Sequence, residues 1–396
     1  MADFHLHAQR FPRLAFAYCF VALCWSLVWP STFSPALAAA ATFPLYPCIR
    51  ANVQFWEKVY SQYSTRQGIL HDSDDLSRIY AIVDFVDGET TGAERINSER
   101  TRAAKERITD ILTRLGSGIP PRTVEERRIA GLFPPKRRAV YHEARNNIRL
   151  QLGQSDRFRE GVIRSGKYLT QFKRIFIAQG LPPELAYLPH VESSFNLRAY
   201  SKAGAAGLWQ FTRSTGKEYL TINELVDERY DPYISSQAAA RFLKGNYEQL
   251  QTWPLALTAY NHGRTGVLKA VREMGSYEKI FRSYDQGSFK FASRNFYPEF
   301  LAAARVAMRM GNTPRFPFEQ PETTMTVRLT QNMTIGQMQT AHRVSAEQFT
   351  RLNPAFLPPV LKGEQAIPQG YQVRLPAPSP KKNRRAHRVA RSTHRG

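Results

Sequence analysis

Cysteine is scarce in this chain of 396 residues: Cys19, Cys24 and Cys48 are the only three. Two of them sit in the apolar run LAFAYCFVALCWSLVW, so removal of that run leaves Cys48 alone. A lone thiol forms no intrachain disulfide and builds no cysteine-based metal site, and Cys48 then reads as a small apolar residue. Negative charge is short as well. Asp and Glu number 33 against 55 Lys and Arg, a formal charge of +22. The last stretch, SPKKNRRAHRVARSTHRG, has no acidic residue at all. Apolar residues at 42% are enough for real cores, and this length suggests two or three modules.

The N-terminus has the layout of a targeting segment. Arg10 and Arg13 precede the apolar run, and SPALAAA follows it with a small-x-small pattern at Ala36-Leu37-Ala38. Residues 1–38 are therefore expected to be a signal peptide cleaved near Ala38. The run is also close to the lower limit of about 17 residues for a membrane span, so a retained anchor is the alternative. The Ala-rich exit favours cleavage. Neither Cys24 after Leu23 nor Cys48 after Pro47 suits a lipoprotein signal. Cleavage removes Arg10, Arg13 and Asp3 and leaves +21. A protein this basic and exported to the periplasm or envelope should be drawn to an anionic polymer or membrane surface. Export, and the lack of any recognition motif, argue against nucleic acid.

Residues 39–157 read as a helical region, from Phe55 to about Gln151. DSDDLSRIYAIVDFV carries apolar residues at helical spacing behind Asp72 or Ser73 as a cap. Ala93 to Leu115 and Glu125 to Gln154 are rich in Arg, Glu and Ala, as a packing scaffold or a charged arm would be; scaffold is favoured. Residues 158–312 form a denser helical domain, with Pro183, Pro232 and Pro254 in first turns, Asp231 as a cap, and Gly275 and Gly311 at helix ends. Residues 323–376 read as strand, two helices and strand, from TMTVRL to GYQVRLP with Ser345 as a helix cap. That is a small binding-module layout. Residues 377–396 are a basic tail, expected to be disordered and suited to polyanion contact. The fold class is mainly α.

Chemistry gathers in LPHVESSFNLRAYSKAGAAGLWQF. Glu192 closes a segment whose Leu185, Leu188 and Val191 face inward, and a carboxyl beside apolar surface has a raised pKa. A Glu raised to about 6 donates a proton at neutral pH. Gly204 and Gly207 let the backbone approach a ligand closely. Trp209 offers a face for sugars to stack on, and Gln210 both a donor and an acceptor. Tyr260 and Asn261 end another helix before Gly263. A phenol and an amide beside one carboxyl suit a polar, uncharged ligand such as a glycan. Each has a bland alternative: helix-end charge for Glu192, turn residue for Ser201, capping for Gln210 and Asn261, core packing for Tyr260.

Glu192-Ser193, Gly207-Leu208-Trp209-Gln210-Phe211 and Ala259-Tyr260-Asn261 together resemble the catalytic domain of lytic murein transglycosylases of the soluble-transglycosylase (SLT) superfamily. LPHVESSFN, GLWQF, DERYDP and NFYPEF are most similar to the membrane-bound-type D subfamily, over roughly Gly161 to Met310. LNPAF and IPQGYQVRLP resemble the LysM-related module that often follows, with Asn332-Met333-Thr334 in place of its usual Asp-Thr-Leu opening. The resemblance implies a lysozyme-like helical catalytic domain that cleaves peptidoglycan glycan strands between N-acetylmuramic acid and N-acetylglucosamine, without cofactor or metal. Glu192 would serve first as acid and then as base, closing a 1,6-anhydro ring, with no second carboxylate. Ser201, Gln210 and Tyr260 would contact substrate or orient the acid, while Asn261 fits a structural place better. Two departures stand out. Thr212-Arg213 replaces a common Met-Pro, and His262 replaces a small residue. His190 and His262 lack a third ligand at a spacing such as HExxH, which argues against zinc. Asp227 or Glu228 reads as the partner of Arg229. A hydrolase using water, and a glycan-binding scaffold without catalysis, are the competing functions.

Overall fold

The computed structural model describes residues 42–135 and 138–377. The expected signal peptide and all but the first residue of the basic tail lie outside them. In chain order come α1 (Arg50–Ser61), β1 (Gln67–Asp72), β2 (Ile79–Asp84), α2 (Ala93–Gly116), α3 (Val124–Ala130), α4 (Ala139–Asn146) and β3 (Ile148–Leu152). Then follow α5 (Ser155–Ser165), α6 (Leu169–Ala178), α7 (Pro189–Glu192), α8 (Arg213–Lys217), α9 (Pro232–Leu250), α10 (Trp253–His262), α11 (Arg264–Met274), α12 (Tyr277–Ser283) and α13 (Phe291–Gly311). The chain continues with β4 (Thr324–Arg328), α14 (Ile335–His342), α15 (Ala346–Leu352), α16 (Pro358–Leu361) and β5 (Gln372–Pro376). The expected mainly α character holds.

The principal core is helical and runs from Phe43 to Ala307. α1 belongs to it despite its distance in sequence. On α1, Asn52 and Trp56 both donate to the Asn295 side chain of α13, at 2.8 and 3.3 Å, in buried surroundings. The Tyr297 hydroxyl donates to the Pro44 carbonyl at 2.9 Å. Buried polar groups pair because an unmade hydrogen bond there costs about 1–3 kcal/mol. These pairs therefore fix the register of the first helix on the last helix of the core.

A second core joins β1–β3 to α2, α3 and α4 through Leu70, Tyr80, Ile108, Leu112 and Ile129. The sheet is antiparallel with β1 in the centre, in the order β2-β1-β3. This corrects the helical reading of Phe55 to Gln151. DSDDLSRIYAIVDFV forms a turn and then β2, and Asp72 caps no helix. Its carboxylate accepts instead from the Asp74 amide at 3.0 Å, the Tyr80 hydroxyl at 2.9 Å and Arg78 at 3.1 Å. IYAIV is β-branched and aromatic, and so short an apolar run fits either period. What decides it is pairing, since β1 is flanked by β2 on one edge and β3 on the other.

The third core closes the C-terminal module. β4 and β5 pair antiparallel with Thr324 opposite Pro376, and the strand–helix–helix–strand order appears as read, with short α16 added. Ser345 caps α15 by accepting from the Gln348 amide at 3.1 Å. Thr334, from the Asn-Met-Thr that departs from the family opening, forms a reciprocal capping box with Gln337 on α14. One member of this core comes from elsewhere: Val226, between α8 and α9, is buried among Ala355, Phe356 and Val360.

Candidate active site

Two prolines divide the segment LPPELAYLPHVE. Pro183 opens a 3-10 turn, Pro183–Tyr187, and Pro189 starts the single turn of α7. Fully buried Leu185 and Leu188 carry the segment into the core, and Glu192 is its last helical residue. The chain then turns through two consecutive left-handed residues that are not glycine, Ser194 at φ 50 and Phe195 at φ 54. Such backbone costs about 1–3 kcal/mol per residue and persists only where its surroundings hold it. Arg164 of α5 does so, donating to the Ser194 carbonyl at 2.7 Å and the Phe195 carbonyl at 3.3 Å. Gly161 permits this approach, because a Cβ there would lie 2.6 Å from the Ser194 oxygen. Ser193 donates to the Leu208 carbonyl at 2.9 Å, which joins the acid's turn to the Gly/Ala-rich loop.

Glu192 is half-buried, and among the described residues no group donates a hydrogen bond to its carboxylate. The packed atoms behind it strip water from the ionised form and push the carboxyl up to about 8. A second carboxyl shares this environment. α13 packs against α7 and brings Glu299, which sequence reading did not single out. Burial first, and then the Glu192 charge, push Glu299 up to about 8 as well, against a lowering pull from Arg149 of β3. Tyr60 of α1 is raised by burial and by both carboxylates, and Tyr260 of α10 by burial and Glu192. These couplings place Tyr60, Tyr260 and Glu299 each within electrostatic reach of Glu192. Behind Glu192, His190 is buried against Phe158, Tyr187 and Phe195, with ring centroids 4.5–6.0 Å away. Burial pushes this imidazole down to about 3, so it is a neutral part of an apolar floor.

Tied to the acid's turn through Ser193 is the loop from Tyr200 to Phe211, pinched by single bridges Tyr200–Ala206 and Ala206–Phe211. Arg229 of DERYDP organises it. The guanidinium is 4% exposed and paired with Asp227 at 2.7 Å. Its remaining arm, Nη1, donates to the Gly204 carbonyl at 2.9 Å and the Phe211 carbonyl at 3.1 Å. Gly207 is obligatory here: it sits at φ 78, and a Cβ would fall 1.9 Å from the Arg229 carbonyl oxygen. Asp227 is thus the expected partner of Arg229. Glu228 is not, and its carboxylate accepts from the Thr221 amide at 2.7 Å and the Tyr371 hydroxyl at 3.2 Å.

The singled-out residues divide accordingly. Ser201 accepts from the Ala205 amide at 3.0 Å, closing its turn, and keeps a proton to donate. Gln210, held at φ 49, donates to the Gly207 carbonyl at 2.9 Å and keeps its side-chain oxygen as an acceptor. Tyr260 donates to the Trp209 carbonyl at 2.8 Å rather than to Glu192, so it braces the loop beside the acid. Trp209 presents no face to a sugar. At 0% exposure its ring packs on Phe172 and Phe176, and its indole N–H donates to Ser236 at 2.8 Å. The apolar size that suggested stacking serves the core instead. Asn261 is exposed, and its side chain makes no hydrogen bond among the described residues. His262 bonds to Ser293 at 3.0 Å, and Thr212 caps α8 by accepting from the Thr215 amide at 3.2 Å. Glu299 had left one signal, a lone acid four residues after Asn295 in the otherwise apolar stretch NFYPEFLAAA.

Comparison with known proteins bears on this same stretch. The family model described as the transglycosylase SLT domain matches residues 176–281, which contain Glu192, the 200–211 loop and Tyr260. Membrane-bound lytic murein transglycosylase D of Escherichia coli K12 is 32% identical over 149 residues, 37% of this chain and 32% of that protein. A putative tributyltin chloride resistance protein of Alteromonas sp. M-1 is 38% identical over 95 residues, 24% of this chain and 46% of that one. The chain thus spans less than half the length of either relative. Among solved structures, the 70 kDa soluble lytic transglycosylase of Escherichia coli aligns at TM-score 0.31 and 20% identity, over 39% of this chain and 27% of that chain. The likeness to the transglycosylase SLT domain is thus confined to the central region, residues 176–281, where the candidate acid and its loop lie.

Proposed function

We propose that this chain is a lytic transglycosylase acting on peptidoglycan glycan strands, with Glu192 as its acid and then its base. One observation carries the reading: within the region matched as an SLT domain, an unpartnered carboxyl is held up to about 8 by burial. At neutral pH such a group is protonated and gives its proton to a glycosidic oxygen as the bond to N-acetylmuramic acid breaks. The resulting carboxylate then takes the proton of the muramic C6 hydroxyl, whose oxygen closes a 1,6-anhydro ring. No water is consumed. Ser201 and Gln210, each with a donor or acceptor left over from its own turn, are the candidate sugar contacts.

Glu299 argues against a hydrolase that uses two carboxylates. Such an enzyme needs one of the pair ionised as base or nucleophile, and Glu299 is pushed up to about 8 beside Glu192. Export to the periplasm or envelope, cleavage near Ala38, glycan binding by the LysM-like module and contact of the basic tail with anionic surfaces complete the reading. Among the described residues no helix is long and apolar enough to cross a membrane. Mass spectrometry of murein digested by the full chain tests the chemistry: each product should be one water lighter than a reducing-end muropeptide. Products carrying only reducing ends would overturn the proposal in favour of hydrolysis.

A further inference from the structure

The C-terminal module does not hang from a tether. The segment that leads to it is packed along α5: the Glu319 amide donates to the Ile163 carbonyl at 3.0 Å, and Lys167 pairs with Glu319 at 2.6 Å. The module itself docks on the DERYDP segment. Val226 bridges Phe356 and is buried in the module's core. The Asp227 amide donates to the Ala355 carbonyl at 2.8 Å, and the Leu357 amide donates to the Leu225 carbonyl at 2.9 Å. Side chains reinforce the backbone. The Tyr371 hydroxyl donates to Glu228, and Arg374 forms a largely buried ion pair with Asp231 while covering the Tyr233 ring at 4.8 Å.

Residues 227 to 231 face both ways. Asp227, held through its amide by the module, orients through its carboxylate the Arg229 guanidinium that clamps the Gly204 and Phe211 carbonyls. Between those carbonyls lie Gly207 and Gln210, and just before them Ser201. We propose that the module is a built-in support of the catalytic loop, in which Tyr371 and Arg374 are positioning residues that act through Glu228, Asp231 and Arg229. A module serving only to capture polymer would need none of these buried polar contacts with the loop's own anchor. The inference rests on the transglycosylase reading for its kinetic consequence but not for its structural one.

The test uses the full chain carrying Tyr371→Phe together with Arg374→Met, and a soluble murein tetrasaccharide as substrate. KM per folded molecule should rise about three- to thirty-fold, the range of couplings carried through an intermediate element, and Arg374→Lys should recover most of it. A merely structural role lowers the folded fraction, hence kcat, and leaves KM where it was. Hydrogen exchange gives a readout free of substrate: the Ala206 and Gly207 amides, bonded to the Phe211 and Ala199 carbonyls, should exchange about three- to thirty-fold faster while the Glu192 amide keeps its rate. Unchanged loop exchange in a folded variant, or weakened sacculus binding with normal KM for the tetrasaccharide, would overturn the proposal. If the double variant does not fold, Tyr371→Phe alone decides by the same exchange measurement. If the wild type turns over no glycan, the exchange result still decides the coupling, and only the transglycosylase reading fails.

Discussion

The two sides of Glu192 are built on opposite principles. Its floor, made by α7, α13 and α1, is closely packed, and there burial is the leading cause of the shifts in ionisation: His190 down, Glu192 and Glu299 up. Its wall, the 200–211 loop, is a web of hydrogen bonds in which a buried cation, Arg229, satisfies backbone carbonyls and is neutralised by Asp227. On the proposed function, the floor sets whether a proton is present and the wall sets where a sugar sits. The difference teaches that the acid's strength and the substrate's position are separable properties here.

Glu192→Gln breaks the comparison at the point where the sides meet, and should lower anhydro-muropeptide release at least about 10²-fold with the fold intact. In the wild type the same group sets a basic limb, activity being lost as pH rises through about 8 and the proton leaves. Next comes the wall. Arg229→Met strands the Asp227 carboxylate in a buried site, and removing one partner of a buried pair costs about 3–5 kcal/mol, measurable as a lower urea midpoint. A midpoint equal to wild type would mean the wall does not depend on its cation.

The floor is probed by Glu299→Gln through pH rather than through rate. A folded-state value raised to about 8 means that folding is unopposed by this group below the unfolded value near 4.5. Stability is then lost progressively as pH rises toward 8, because a carboxylate must be buried. The Tm advantage of Glu299→Gln should therefore be near zero at pH 4 and reach about 2 °C or more by pH 8.5. A pH-independent difference would show that Glu299 ionises as freely folded as unfolded. The smallest effect belongs to Ser201→Ala, which removes one turn hydrogen bond worth about 0.5–1.5 kcal/mol. If Ser201 also touches the sugar, KM should rise more than stability falls, and the ratio of the two measures that contact.

Periodicity and punctuation made much of this legible. Pro183, Asp231, Ser345, Gly275 and the strands at both ends of the C-terminal module lie where local chemistry puts them, because caps and turns act over three or four residues. Glu192 was legible through its apolar neighbours and the family pattern. β2 was misread because its partner strands, not its own residues, select the extended form. Trp209 was misread because composition shows an aromatic and not which way it points. Glu299 and Arg164 were missed for a related reason, since each matters through a neighbour distant in sequence.

The pairing of Asn52 with Asn295 spans 243 residues. It closes a very long loop before the floor under Glu192 exists. Local helices of α5 to α12 can form as the chain emerges, but contacts so far apart come late and slow the final step. The chain therefore cannot complete the environment that keeps its acid protonated until residues near 300 are available. If the proposed function holds, the chain is inert toward the wall while it is still being made.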